Sequence, residues 1–166
     1  TNRSIIGKIF LKTNNKRDSL FVFLASGGLL GYSPIAPGTA GSLLGVILYI
    51  PLSWLLPIYY APFLLSASLL SFKIAGEAER IFGKKDCRVI VIDEVVGVFF
   101  TMFLFPPTLF YLSAGFLLFR VFDIVKPFPA GWIDRKISGG TGVVLDDIVA
   151  GIYANIGLHL LSAVWK

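Results

Sequence analysis

The chain is a succession of long uncharged apolar stretches separated by short charged ones. Residues 19–72, 95–119 and 148–165 contain no Asp, Glu, Lys or Arg. Divided at their prolines, these stretches predict helices over residues 41–56, 60–75, 95–105, 109–124 and 147–165, because a backbone in hydrocarbon must satisfy its own polar groups. Several are short: a sixteen-residue helix rises ~24 Å, against a hydrocarbon thickness of about 30 Å. A further apolar piece, residues 20–31, is interrupted by Gly27, Gly28 and Gly31 and reads as a short interfacial or re-entrant helix. The expected fold class is all-α: an integral membrane helical bundle of about five transmembrane helices with that short helix near its N-terminus.

Composition agrees. Hydrophobic residues make up 55% of the 166 positions and charged residues 15%, whereas an average soluble domain is about 25% charged. Mean hydropathy is +0.79. A soluble helical protein with very apolar core helices is the alternative, and the charge-free stretches favour the membrane over it. The length suits one domain. We therefore expect a basic cytoplasmic segment over residues 1–18 and a single membrane-embedded catalytic domain over 19–166. The first segment holds Arg3, Lys8, Lys12, Lys16 and Arg17 and leads to no small-residue cleavage site, so it is expected to remain on the chain.

The charges themselves set a topology. Two tight connections, residues 57–59 and 106–108, are uncharged, while residues 1–18, 73–94 and 120–147 hold fourteen of the fifteen basic residues and all ten carboxylates. By the positive-inside rule those segments share the cytoplasmic face, with the terminal Lys166 opposite. The net charge of +5 falls in short clusters between apolar stretches, which suits anionic lipid head groups and no nucleic acid. A single cysteine, Cys87, excludes an internal disulfide and a multi-cysteine metal site.

The segments at 92–97 and 145–151 resemble each other, each placing adjacent carboxylates at the mouth of an apolar helix. Asp93 with Glu94, Asp146 with Asp147, and Asp123 are costly charges at a bilayer lip and need a compensating partner. Gathered at one depth they suit a hard-oxygen cation, and Mg²⁺ fits because it binds between a few carboxylates and a substrate phosphate. The alternative is helix capping, which needs one carboxylate rather than two. Arg120, Asp123 and Lys126 share a helical face, able to meet a phosphate and its metal or to form an ordinary ion pair ended by Pro127. Asp134–Arg135 reads as a weaker candidate or a solvated surface pair. In the run from Ser33 to Ser42, Thr39 and Ser42 could line a phosphate cradle, or Thr39 could cap a helix whose Gly41 and Gly45 pack against a neighbour. His159, alone in an apolar helix, reads as a packed polar residue.

Four motifs in order resemble the phosphatidylglycerophosphatase A family: Ser-Pro-Ile-Ala-Pro-Gly-Thr-Ala-Gly-Ser at 33–42, Ile-Asp-Glu-Val-Val-Gly at 92–97, Phe-Arg-Val-Phe-Asp-Ile-Val-Lys-Pro-Phe-Pro at 119–129, and the run from Asp134 to Gly151 that holds Leu-Asp-Asp-Ile-Val-Ala-Gly. The resemblance implies an Mg²⁺-dependent phosphatase of the bacterial inner membrane, multi-pass, with its site facing the cytoplasm, that converts phosphatidylglycerophosphate in the bilayer to phosphatidylglycerol. It implies Asp93, Glu94, Asp123, Asp146 and Asp147 as catalytic and metal-binding residues. Arg120, Lys126 and Arg135, with Thr39 and Ser42 ranking behind them, would contact the phosphate. Attack by water with a carboxylate as general base, and attack by an aspartate to form an aspartyl phosphate, both stay open. Two rivals are a small cation transporter using helix-end carboxylates and a CDP-alcohol phosphotransferase. The second lacks its Asp-Gly, Ala-Arg and spaced-Asp signature here.

Overall fold

The computed structural model describes residues 15–164; Arg3, Lys8 and Lys12 of the basic segment, and Lys166, lie outside the described residues. The fold is all-helical, with seven α-helices, one 3-10 turn and no strand among the described residues. They run α1 (Lys16–Ala25), the 3-10 turn (Leu30–Tyr32), α2 (Pro37–Leu52), α3 (Pro57–Phe82), α4 (Ile92–Thr101), α5 (Leu109–Val125), α6 (Ala130–Lys136) and α7 (Gly140–Val164).

Helix boundaries follow local chemistry where the hydropathy pattern could not. Proline takes the first position of α2 and of α3, where its missing N–H costs nothing. Thr39 therefore lies inside the first turn of α2 and is not its cap; Ala36, in a left-handed conformation, holds that position. Beyond its apolar part, α3 continues through Lys73, Glu77, Glu79 and Arg80 to a left-handed Gly83. The last helix starts at Gly140 rather than at 147, so Asp146 and Asp147 sit nearly two turns inside α7 and are not at its mouth. The segment expected to be a loop between α5 and α7 contains α6.

Of the five expected membrane helices, α3 and α7 are long and apolar enough to cross a membrane. The others, α2, α4 and α5, have 16, 10 and 17 residues. The shortest, α4, is the core of the molecule: Val95, Val96, Val98 and Phe99 are all buried. It ends early because its last carbonyls, and those just beyond, find side-chain donors in an apolar setting. The Tyr60 hydroxyl donates to Phe99 O at 3.0 Å, and Asn155 Nδ2 donates to Thr101 O and Phe103 O, each at 2.9 Å. The Tyr49 hydroxyl donates to Phe105 O. Without these donors each carbonyl would carry a desolvation cost of ~1–3 kcal/mol.

Glycines let neighbouring helices approach α4 closely. The α2 residues Gly41 and Gly45 lie where a β-carbon would fall 2.7 Å from Val91 Cβ and 2.9 Å from Val98 Cβ, so they form the packing face expected of them. On the opposite side α7 crosses α4 at Gly97 and Gly151. A β-carbon on Gly97 would fall 2.9 Å from the Asp147 carbonyl oxygen, and one on Gly151 would overlap the Gly97 carbonyl oxygen. Outside this core, Ile47 on α2, Leu65 on α3, Leu117 on α5 and Leu160 on α7 are exposed.

Gly151→Ala should destabilise the fold by ~1–3 kcal/mol through overpacking, read as a lowered Tm in detergent. Gly157→Ala, on the same helix, meets the Leu118 side chain at 3.3 Å and the Phe122 ring at 3.9 Å, with no backbone among its nearest contacts, and should stay at or above wild-type Tm.

Candidate functional site

The crossing of α4 and α7 positions the carboxylates. Asp93 precedes Gly97 by four residues, and Asp147 precedes Gly151 by four, so each lies one turn above the contact on the same helix face. Asp93, Asp146 and Asp147 are 7%, 3% and 4% exposed. Asp93 and Glu94 lie in the first turn of α4, where the helix dipole favours negative charge. Asp146 and Asp147 lie nearly two turns inside α7, and capping does not account for that pair.

These residues line a cavity of about 300 Å³ together with Asp123, Arg120 and Lys126. Five predicted carboxylates and two predicted cations, drawn from three separated motifs, meet there. The Arg120 guanidinium donates to Asp123 Oδ2 at 2.6 Å and reaches Ser42 Oγ at 3.4 Å. Ser42 in turn donates to Gly38 O at 2.8 Å. On the far side Lys126 Nζ donates to Asp146 Oδ2 at 2.5 Å and lies 3.5 Å from Asp134 Oδ1. Burial favours loss of the Lys126 proton, but the hydrogen bond and negative charge of Asp146 outweigh it and hold the ammonium above the ordinary lysine value. Lys126 ends α5 in a left-handed conformation, and Pro127 follows it, so the chain leaves the helix there.

Three carboxylate oxygens are buried without a hydrogen-bond partner among the described residues: Asp93 Oδ1, Glu94 Oε2 and Asp146 Oδ1. Asp93, Glu94 and Asp147 each offer an oxygen, all within 4.8 Å of one another. Ligands on opposite sides of Mg²⁺ stand about 4.2 Å apart, so this all-oxygen donor set, with orphaned buried anions, fits such an ion.

Other predicted residues stand apart. Arg135, exposed on α6, is not among the residues lining the cavity; nor is Thr39, and Ser42 touches the site only through Arg120. The structure adds Asp86, Arg88 and Gly38 to the lining, and of the Asp134–Arg135 pair it brings Asp134 there. A β-carbon on Gly38 would fall 2.6 Å from Glu94 Oε1, so the start of α2 lies against the carboxylates. Asp86 and Arg88 lie a few residues before the Asp93 motif within the same charged segment, which was the available signal. His159 packs against the Phe105 ring, with centroids 4.5 Å apart.

Fold and site together define a helical protein whose buried acidic cluster, edged by an arginine and a lysine, suits a phosphate and a divalent cation. Residues 23–162 match the family described as Phosphatidylglycerophosphatase A. The chain is similar to phosphatidylglycerophosphatase A of Escherichia coli (32% identity, covering 93% of this chain and 90% of that protein). It is also similar to phosphatidylglycerophosphatase A of Haemophilus influenzae (41%, covering 73% and 76%). A protein of Bacteroides thetaiotaomicron named putative phosphatidylinositol-3-phosphatase is 39% identical, covering 85% of this chain and 93% of that protein. No solved structure matches the chain. The chain belongs to the phosphatidylglycerophosphatase A family, a family of phosphatases.

Lys126→Met would leave Asp146 buried beside no cation. Because the lysine side chain is 29% exposed, the expected cost is ~1–3 kcal/mol, below that of a fully buried pair. Thermal unfolding of Lys126→Met, Asp146→Asn and the double variant should show the second change offsetting part of the first.

Proposed function

We propose that this chain hydrolyses the terminal phosphomonoester of phosphatidylglycerophosphate, giving phosphatidylglycerol and inorganic phosphate, with Mg²⁺ as cofactor. We place it as a multi-pass protein of a bacterial inner membrane with its site toward the cytoplasm. The observation that carries the reading is the convergence of Asp93, Glu94, Asp123, Asp146 and Asp147 with Arg120 and Lys126 around one cavity. The exposed apolar side chains of α2, α3, α5 and α7 support a lipid surrounding. The one-sided distribution of charge along the chain supports the orientation. In this reading the acyl tails stay in the bilayer while the head group enters the cavity from the charged side.

Asp93, Glu94 and Asp147 would hold the ion. Bound there, Mg²⁺ supplies charge neutralisation at the phosphoryl oxygens. The chain's own groups do the rest. The Arg120 guanidinium, with five N–H donors and only Asp123 and Ser42 as partners, has donors left for the equatorial oxygens of the phosphate. Lys126 fixes one oxygen of Asp146 and leaves Oδ1 free to take a proton from the attacking water as its oxygen bonds to phosphorus. The bond between phosphorus and the head-group oxygen breaks; that oxygen leaves and takes a proton from solvent water, and Asp146 returns its own proton to solvent.

Both named lipid classes of the relatives share a chemistry that supports the assignment. Phosphatidylglycerophosphate and phosphatidylinositol 3-phosphate each carry a phosphomonoester two carbons along the head group from the bridging phosphodiester. The glycerol lipid is the substrate proposed here.

The test is phosphate release from phosphatidylglycerophosphate in mixed micelles, with Mg²⁺ and with EDTA. Release should require the metal and fall by at least ~100-fold in Asp93→Asn and in Asp147→Asn. A folded wild type that releases no phosphate in either condition would remove the phosphatase reading and favour ion transport. A phosphoryl group trapped on an aspartate during turnover would replace water attack by the aspartyl-phosphate route. Equal rates on water-soluble glycerol phosphate would overturn the requirement for a bilayer-held substrate.

A further inference from the structure

Beside the carboxylate cavity lies a second one, of about 250 Å³, which shares Pro37 and Arg88 with it. Its lining has a different character: Tyr32, Ser33 and Arg88 provide the polar side chains, and no carboxylate is present. The two cavities thus divide by charge, with the acidic groups on one side and Arg88 on the boundary.

Arg88 is the lining cation left uncommitted. Arg120 is held by Asp123, and Lys126 by Asp146 and Asp134. Arg88 is exposed and makes no ion pair or side-chain hydrogen bond among the described residues. Tyr32 presents the complementary feature, a hydroxyl that is buried and has no hydrogen-bond partner among the described residues. Burial, with a smaller contribution from Cys87, raises its pKa above the ordinary phenol value, so at neutral pH it is a donor. The local fold places both residues in the lining of the second cavity. A β-carbon on Gly31 would overlap the Val89 carbonyl oxygen, so only glycine lets the 3-10 turn lie flat against the segment carrying Arg88.

We propose that this second cavity is the subsite for the bridging phosphodiester of the lipid head group, with Arg88 and the Tyr32 hydroxyl as its contacts. The proposal rests on the phosphatase reading for the lipid's identity. A phosphodiester carries one negative charge, which one guanidinium and one neutral donor can match without a metal. The monoester needs the cation-binding carboxylates and sits next door, so a head group bearing both phosphates bridges the cavities. The carboxylates repel the diester while Arg88 attracts it, which fixes the direction in which the head group lies. Arg88 is thereby a positioning residue that selects lipids carrying a diester in addition to the monoester.

The experiment compares wild type, Arg88→Gln and Tyr32→Phe on phosphatidylglycerophosphate and on phosphatidic acid, a bilayer lipid with the monoester and no diester. For Arg88→Gln we expect KM for phosphatidylglycerophosphate to rise at least ~10-fold with kcat within about twofold, and KM for phosphatidic acid to stay unchanged; Tyr32→Phe should raise the first KM about threefold. Arg88→Lys should recover part of the loss. Equal rises on both lipids, or none on either, would overturn the subsite. Binding of short-chain phosphatidylglycerol to the detergent-solubilised protein by calorimetry reads the subsite without turnover. It should weaken at least ~10-fold in Arg88→Gln, and unchanged binding overturns the proposal. If wild type hydrolyses neither lipid, the phosphatase reading fails, and the calorimetric comparison alone decides whether Arg88 binds a diester.

Discussion

The contact between Gly97 and Gly151 is the constraint on which the site depends. Two helices meet there closely enough that a methyl group on either side would overlap backbone or a ring. Because the aspartates stand four residues before each glycine, the approach of the two backbones brings Asp93 and Asp147 together as a geometric consequence. A larger residue at the crossing would separate the helices and carry the carboxylates apart with them. Packing and chemistry are therefore one feature in this molecule, and α2 reinforces it by closing on the other side of α4 through Gly41 and Gly45.

Concentrating anions in this way is unfavourable unless something neutralises them, since a buried charge without a partner costs several kcal/mol on the order of a broken ion pair. The protein neutralises part of the cluster itself: Arg120 on one flank and Lys126 on the other, both from the last turns of α5 and its exit. The middle of the cluster, Asp93, Glu94 and Asp147, could hold a further cation, and two of its oxygens are without a partner among the described residues. That division explains why both signs of charge belong in one cavity. Fixed cations hold the rim, and the proposed function puts a divalent ion and a phosphate at the acidic centre.

The short α4 needs its own account, because a helix ending inside an apolar bundle exposes carbonyls to surroundings that offer no water. Tyr60, Asn155 and Tyr49 supply the missing donors from α3, α7 and α2. Three neighbouring helices are thereby tied to the same segment, and the aromatic cluster of Tyr60 with Phe63 and Phe103 fills the space around it.

Much of this was legible from residue order. Hydropathy determined an all-helical chain, since uncharged runs of this length leave helices as the economical way to satisfy the backbone. The paired carboxylates, the Arg120–Asp123–Lys126 spacing and three of the four family motifs named the five carboxylates and two cations that meet in the cavity. Helix ends were beyond it: whether α7 begins at Gly140 or at Asp147, or α4 stops at Thr101, depends on capping donors and close contacts from distant segments, which hydropathy does not register. The rim of the site was beyond it too. Arg88 looks like an ordinary surface charge in one dimension, and Asp134 and Arg135 look like a single weak pair. Only folding of the 3-10 turn onto Val89 and the exit of the chain at Lys126 bring Arg88 and Asp134 to the cavity and leave Arg135 outside it. Chemical type is a property of a residue, whereas proximity is a property of the packed backbone.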